Sequence, residues 1–337
     1  MTSRRLRDYD ESDVRVRPNR RGSRPRSKDR PAHLDAVPGR VVAVDRGRYS
    51  TVVDGMPVTA MRARELGRKG IVVGDEVALV GDVSGIEGSL ARIVRVEPRA
   101  TVLRRTADDT DPVERIIVAN ADQLVVVSAL ADPLPRPRLI DRCLVAAYDA
   151  GMTPLLVLTK SDLADPAPFL ADYAALEVPC IVIGRGSHGA LEGLAAVRTA
   201  LRGQVSVLVG HSGVGKSTLV NDLVPDAGRA TGRVNDVTGR GRHTSSSAVA
   251  LELPDGGWVI DTPGVRSFGL AHVAPDTIVG HFPDLSPGTQ TCPRGCTHDE
   301  EECGLDPWVA SGSAGAGGAA RLDSLRRLLR ARSSRHD

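Results

Sequence analysis

Residues 210–217 read GHSGVGKS, entered from the apolar run VSVLV and left through TLVNDLV, and no other stretch limits the fold as tightly. A strand, a glycine-rich loop and a helix start in that order make a P-loop. Such a loop turns successive backbone N–H groups inward around phosphate oxygens, at the positive end of the following helix. Gly210, His211, Ser212, Gly213, Val214, Gly215, Lys216, Ser217 and Thr218 are therefore the expected nucleotide-binding residues of this stretch. Lys216 is expected to reach the β and γ phosphates, and the Ser217 hydroxyl to ligate Mg²⁺.

The flanking pattern agrees. ADQLVVVSAL (121–130) is a continuous apolar strand, and RPRLIDRCLVAAYDAG (136–151) is an amphipathic helix stopped at Gly151. PLLVLTKSDL (154–163) is a strand with its loop, a short helix follows near Phe169 to Leu176, PCIVIG (179–184) is a strand, and GALEGLAAVRTALRG (189–203) is a helix. Strands alternating with helices imply a parallel sheet covered on both faces. Cys143 and Cys180 fall on apolar faces and read as packing residues. After the P-loop, GRVNDVTGRGRHTSSS (232–247) leads to strand AVALELP and then WVIDTPG (258–264). The last is an apolar strand ending in an acid with a glycine three residues on, the DxxG pattern of a switch loop.

TKSD (159–162) lies at the end of an apolar strand, where α/β folds bind ligands. It resembles the NKxD guanine-reading motif of GTPases. The Asp162 carboxylate can accept from both N1–H and the 2-amino group of guanine, a bidentate charge-assisted pair. Adenine offers neither donor, so guanine should win by several kcal/mol through polar groups that would otherwise be buried unpaired. Thr159, Lys160, Ser161 and Asp162 form the expected base site, with the Lys160 stem along the base plane. Thr159 stands where Asn would tie the base loop to the P-loop, and its hydroxyl can replace only part of that bonding.

In ordinary GTPases the order runs P-loop, switch I, DxxG, NKxD; here TKSD comes about fifty residues before the P-loop. The chain is circularly permuted. With a β-rich N-terminal segment and a C-terminal Cys/His cluster, it resembles the RsgA family of small-ribosomal-subunit-dependent GTPases, also called the YjeQ or EngC family. The resemblance covers about residues 37 to 332. It implies a GTP hydrolase that assists late maturation of the small ribosomal subunit.

The residues present suggest how hydrolysis would run. Ser217 and a switch I hydroxyl would hold Mg²⁺, with Asp261 behind a coordinated water. Thr244 of GRGRHTSS is the leading switch I residue, and Ser245 the weaker alternative. The Gly264 N–H would bond the γ phosphate. Val265 follows, where many GTPases carry the Gln that orients water, so hydrolysis should be slow in isolation. His243 is the candidate for orienting or deprotonating water, and Arg240 or Arg242 for neutralising charge, though each could equally contact RNA. The expected catalytic set is Lys216, His243, Thr244, Asp261 and Gly264; docking on the subunit would order this loop and stimulate turnover.

CPRGCTHDEEEC (292–303) places Cys292, Cys296, His298 and Cys303 within twelve positions. Three thiolates and an imidazole complete a closed tetrahedral zinc shell of the structural kind. Family members often have each of the two longer intervals one residue greater. His211, His272 and His281 lack such company. Beyond the cluster, SGSAGAGGAA reads as a flexible linker. In RLDSLRRLLRARSSR, Leu322, Leu325, Leu328 and Leu329 share a helical face with arginines opposite, an arrangement suited to packing on the zinc region with a basic side left for RNA.

The N-terminal third differs. The first 33 residues hold eleven Arg or Lys against five acids, leaving 33 basic and 37 acidic residues for the rest. No apolar segment follows these charges, so the tail reads as a basic arm for nucleic acid or a solvated tail, not a signal peptide. From Pro38 come short alternating strands with turns every eight to twelve residues, the spacing of a five-stranded OB-type barrel. Tyr49 is its single aromatic, so RNA binding should rest on Arg and backbone contacts to phosphate and shape. TVLRRTADD reads as a linker or a flexible loop.

The expected layout is a disordered basic tail (1–35), an OB-fold RNA-binding barrel (36–104), a permuted α/β GTPase domain (112–272), a helical zinc-binding domain (273–332) and a short disordered tail (333–337). GTP or GDP with Mg²⁺, one structural zinc, and the small ribosomal subunit with its rRNA are the expected partners of a monomer. No run of eighteen apolar residues is present, which excludes a membrane-spanning helix, and cysteine usage favours the cytoplasm. Two rivals remain: an RNA-binding assembly scaffold that holds GTP without useful turnover, and a P-loop ATPase or small-molecule kinase, against which TKSD argues.

Overall fold

The structure is a computed structural model that describes residues 33–67, 70–106, 114–186, 189–225, 248–262, 268, 270 and 272–333. The basic tail through residue 32 lies outside the described residues, as do His243, Thr244 and Gly264 with Arg240, Arg242, Ser245 and Val265.

The first five strands, β1 (Val37–Asp45), β2 (Arg48–Val53), β3 (Met56–Arg62), β4 (Glu76–Gly81) and β5 (Ala91–Val96), pair in the order β1-β2-β3-β5-β4. A β1–β4 pairing closes them into a barrel. All contacts are antiparallel except β3 with β5, the order and sense of an OB-fold. The β2–β3 hairpin turns on Asp54-Gly55, both at positive φ (48° and 77°), as a two-residue turn matched to strand twist requires. Inward residues Val41, Val53, Val58, Val77, Leu79 and Ile93 fill the core. Tyr49 joins them at 6% exposure, so among the described residues the barrel presents no ring for base stacking.

TVLRRT is not a linker. β6 (Val102–Thr106) pairs antiparallel with β7 (Glu114–Ala119), a register that satisfies backbone groups a free linker would leave to water. Asn120 fastens this hairpin to the barrel by donating to the Gly74 carbonyl at 3.0 Å and accepting from the Ala100 N–H at 2.8 Å. Gly74 itself sits at φ +88°, where a Cβ would lie 2.0 Å from the Ala119 carbonyl.

The second sheet region carries β8 (Gln123–Ala129), β9 (Thr153–Thr159), β10 (Cys180–Val182), β13 (Val205–Val209), β14 (Val249–Glu252) and β15 (Trp258–Asp261). Among the described residues, short β11 (Gly184–Arg185) and β12 (Leu191–Glu192) pair only with each other. Order is β10-β9-β8-β13-β15-β14, parallel except for β14. The continuous apolar runs follow from burial on both faces. In β8, Leu124 and Val126 belong to one core, and Val125, Val127 and Ala129 to the other. Helices α1 (Pro137–Asp149) and α2 (Ala167–Tyr173) cover the first face, while α3 (Leu194–Leu201) and α4 (Lys216–Leu223) cover the second. β1 also bridges β14 at Ala43↔Val249, joining barrel and sheet in one hydrogen-bonded series.

The C-terminal part contains α5 (Pro275–Val279), a 3₁₀ turn at Ser286–Thr291, α6 (Leu305–Ala310) and α7 (Gly318–Ser333). The glycine-rich segment is more ordered than a linker, because Gly312 and Gly315 make left-handed turns and α7 begins at Gly318. Leu322, Leu325, Leu328 and Leu329 are buried against α1, α5 and α6. The arginines opposite do not form a free basic side. Arg321 pairs with Asp284 (2.6 Å), Arg326 with Asp306 (2.5 Å), Arg327 with Asp141 (3.1 Å) and Arg330 with Asp299 (2.7 Å). No helix among the described residues is long and apolar enough to cross a membrane.

Candidate nucleotide site and metal centre

Parallel strands place their carboxyl ends at one edge of the sheet, and three sequence motifs arrive there together. TKSD follows β9, the P-loop follows β13, and Asp261 closes β15. The P-loop turns at Gly213 and Gly215, with φ of 83° and 90° that glycine adopts without strain. Gly210 passes so close to β8 that a Cβ would lie 2.4 Å from the Val127 carbonyl. Lys216 opens α4, with Ser217 and Thr218 exposed beside it. The Lys216 ammonium meets the Asp261 carboxylate at 2.6 Å, and Thr262 donates to the Leu208 carbonyl at 2.8 Å, fixing the start of the DTPG loop. Asp261 thus holds the cation where phosphate charge would compete for it.

The base loop is tied to the P-loop directly. Thr159, 5% exposed, donates its hydroxyl to the Val214 carbonyl at 2.6 Å. Asp162 is exposed, and its Oδ1 accepts the Arg185 N–H at 2.9 Å, which orients the carboxylate. Gly184 must lack a side chain here, since a Cβ would lie 2.3 Å from Ser161 Oγ. Gly184 and the Arg185 N–H support the base loop and were not picked out from the sequence; the glycine that ends the PCIVIG run was the available signal. Lys160 stands at φ +60° and its ammonium donates to the Asp132 carbonyl, so its head is anchored on the β8–α1 loop. That loop also closes on the P-loop, with Pro133 Cδ 3.6 Å from where a Gly213 Cβ would be. His211 contacts only its neighbour, the Ser212 carbonyl at 2.8 Å, among its described polar contacts.

The other motif assembles into a cluster that could hold a metal ion. Ligand atoms of Cys292, Cys296, His298 and Cys303 all lie within 4.8 Å of one another. Cys292 Sγ is 3.5 Å from His298 Nδ1 and 3.9 Å from Cys303 Sγ, which is itself 3.9 Å from His298 Nδ1. A tetrahedron with zinc–sulfur bonds of about 2.3 Å has edges of about 3.8 Å, so the donor set fits zinc. His298 points Nδ1 at the sulfurs while Nε2 meets Asp276 Oδ1 at 3.2 Å, the carboxylate contact that fixes a ligating imidazole. Asp276, 22 positions upstream, was not legible as part of the centre. Glu300 closes the ligand loop: hydrogen bonds from the Thr297 hydroxyl and N–H hold its carboxyl down at about 2. His272 and His281 take no part; the first meets Asp149 at 3.0 Å and the second stacks on Tyr148.

A parallel sheet with P-loop, base loop and DxxG acid at one edge, met in permuted order and flanked by an OB barrel and a Cys₃His centre, defines a circularly permuted P-loop GTPase fold. The model of the RsgA GTPase family matches residues 96–271, and the chain belongs to that family. The small ribosomal subunit biogenesis GTPase RsgA of Pseudomonas syringae pv. syringae is 40% identical over 240 residues, which is 68% of this chain and 66% of the relative. The match thus spans just under two thirds of that relative's length. The protein named small ribosomal subunit biogenesis GTPase RsgA 1 of Vibrio vulnificus is 34% identical over 271 residues, covering 78% of this chain and 74% of that one. The crystal structure of YjeQ from Thermotoga maritima superposes with a TM-score of 0.64 at 25% identity, covering 89% of this chain and all of that one. YloQ, described as a circularly permuted GTPase, shares the fold with a TM-score of 0.61 at 20% identity.

Proposed function

We propose that the protein hydrolyses GTP to GDP and phosphate in late assembly of the small ribosomal subunit, slowly alone and faster when docked on the subunit. The observation that carries the reading is the meeting of Lys216, Asp261 and the Thr159–Val214 bond at one sheet edge, with Asp162 beside them. Asp162 reads guanine, and the P-loop amides with Lys216 take the phosphates. Ser217 and Thr244 would hold the Mg²⁺ that arrives with GTP, which supplies charge neutralisation at the β and γ phosphates. Lys216 would then exchange its carboxylate partner for phosphate oxygens, which would leave Asp261 available to help hold the cation. The Gly264 N–H binds the γ phosphate, and His243 positions the attacking water. Val265 can neither donate nor accept, which makes hydrolysis depend on ordering of the 240–245 loop.

The names of the relatives support the small subunit as partner. With Tyr49 in the core, the barrel (36–104) would bind rRNA through arginines and backbone. The zinc domain (273–332) is carried by the GTPase domain (112–272), and the protein acts as a cytoplasmic monomer. The test is phosphate release by purified protein titrated with small subunits. Release accelerated by subunits supports the reading; equal rates alone and bound refute stimulation, and no release in either case leaves a GTP-holding scaffold.

A further inference from the structure

Helix α1 is buried along its middle, yet two adjacent residues there are charged: Asp141 at 2% exposure and Arg142 at 5%. Burying a guanidinium costs several kcal/mol unless its donors are met, and an apolar residue would pack the same space more cheaply. Two partners of Arg142 suggest why the charge is kept. One terminal nitrogen donates to the Phe268 carbonyl at 2.5 Å, and the other to the Ala331 carbonyl at 3.1 Å.

Those two carbonyls belong to different parts of the molecule. Phe268 lies six positions beyond Thr262, on the segment that leaves the DTPG loop, and its ring is fully buried in the core. Ala331 lies in the last turn of α7, where carbonyls have no partner within the helix and a cation is favoured. Flanking contacts repeat the pattern: Asp141 pairs with Arg327 of α7 at 3.1 Å, and Arg332 of α7 donates to the Val273 carbonyl at 2.8 Å. α7 in turn holds the metal centre, because Arg326 donates to the His298 carbonyl at 3.2 Å.

We propose that Arg142 is a positioning residue that couples the nucleotide state of the DTPG loop to α7 and, through it, to the metal centre. This rests on the nucleotide-binding reading above. A rigid planar fork sharing two carbonyls has one low-energy geometry. A shift of the Phe268 segment when the loop engages a γ phosphate must therefore either move the end of α7 or break a charge-assisted bond in a buried site. Arg142 belongs neither to the Cys₃His cluster nor to the described contacts of the P-loop and base loop, so its loss should leave ground-state binding intact.

The experiment uses the full zinc-loaded chain, with GDP or a non-hydrolysable GTP analogue, and reads hydrogen exchange in α7 together with nucleotide affinity. In the wild type, α7 exchange rates should differ at least fivefold between the two nucleotides. In Arg142→Gln that difference should collapse while both affinities stay within about twofold, and Arg142→Lys, able to serve one carbonyl, should restore part of it. Should the Gln variant not fold, the Lys variant is read in its place. A variant whose α7 still follows the nucleotide overturns the proposal, as does a wild type that binds nucleotide with α7 indifferent to it. A wild type that binds no guanine nucleotide removes the functional reading and the coupling together.

Discussion

The Thr159 hydroxyl donates to the Val214 carbonyl at 2.6 Å, a buried bond across 55 positions that fastens the base loop to the P-loop. Threonine supplies one O–H donor and the lone pairs of the same oxygen, where the usual asparagine would supply two N–H donors and a separate carbonyl acceptor. Thr159→Val keeps the shape and leaves a buried carbonyl without that donor, a loss of about 1–3 kcal/mol. Divided between folding and binding, it should weaken GDP by up to roughly 100-fold in a fluorescent-nucleotide titration. Thr159→Asn should bind at least as tightly as wild type. Unchanged affinity in Thr159→Val would mean the bond does not hold the loop.

Asp162 sets base choice if its carboxylate receives the two guanine donors. Asp162→Asn should lose GDP affinity by at least 100-fold and gain XDP, because the amide can donate to the 2-oxo group of xanthine. The Arg185 N–H that now orients Oδ1 can bond an amide oxygen equally, so the loop should keep its place. Equal loss of both nucleotides would indicate a collapsed loop and not altered recognition.

The Asp276 carboxylate is exposed while the His298 ring it meets is buried. Asp276→Ala should lower zinc affinity about 10-fold, the small end of what outer carboxylates contribute, because water can replace the lost acceptor. Competition against a chromogenic chelator measures this, and Cys303→Ser, which removes a ligand, should lose far more. A variant indistinguishable from wild type would make Asp276 a bystander.

Burial pushes the Asp141 carboxyl up to about 6, against the pull of Arg327. A carboxyl that holds its proton more tightly folded than unfolded costs stability as pH rises through the window from 3.8 to about 6. Above that window the penalty is complete, about 3 kcal/mol. Asp141→Asn should therefore gain on wild type between pH 4.5 and 7 in denaturant melts, less whatever the Arg327 pair contributes. A constant difference across that range would contradict the shift.

The P-loop, TKSD, DTPG and the Cys/His cluster were legible because each is a short contiguous device. Phosphate cradling needs consecutive amides, and a structural zinc site can take all its ligands from one loop. Their order along the chain was enough to read the permutation; alternating apolar residues marked the barrel strands, and continuous apolar runs set between helices marked the two-faced sheet.

What contiguity does not encode, only the tertiary structure decided. The C-terminal arginines are five charges on one helix in the sequence, and which acids or carbonyls meet them depends on how α7 lies against α1 and the metal region. Tyr49 could have faced solvent from the barrel until strand register turned it inward. Arg142 acquires its role from carbonyls 126 and 189 positions away. Side-chain pairing over such separations follows from strand order and helix packing, which sum many weak contacts across the whole chain. The local chemistry of nucleotide and metal was written in the sequence. The links between those sites exist only once the layers have packed.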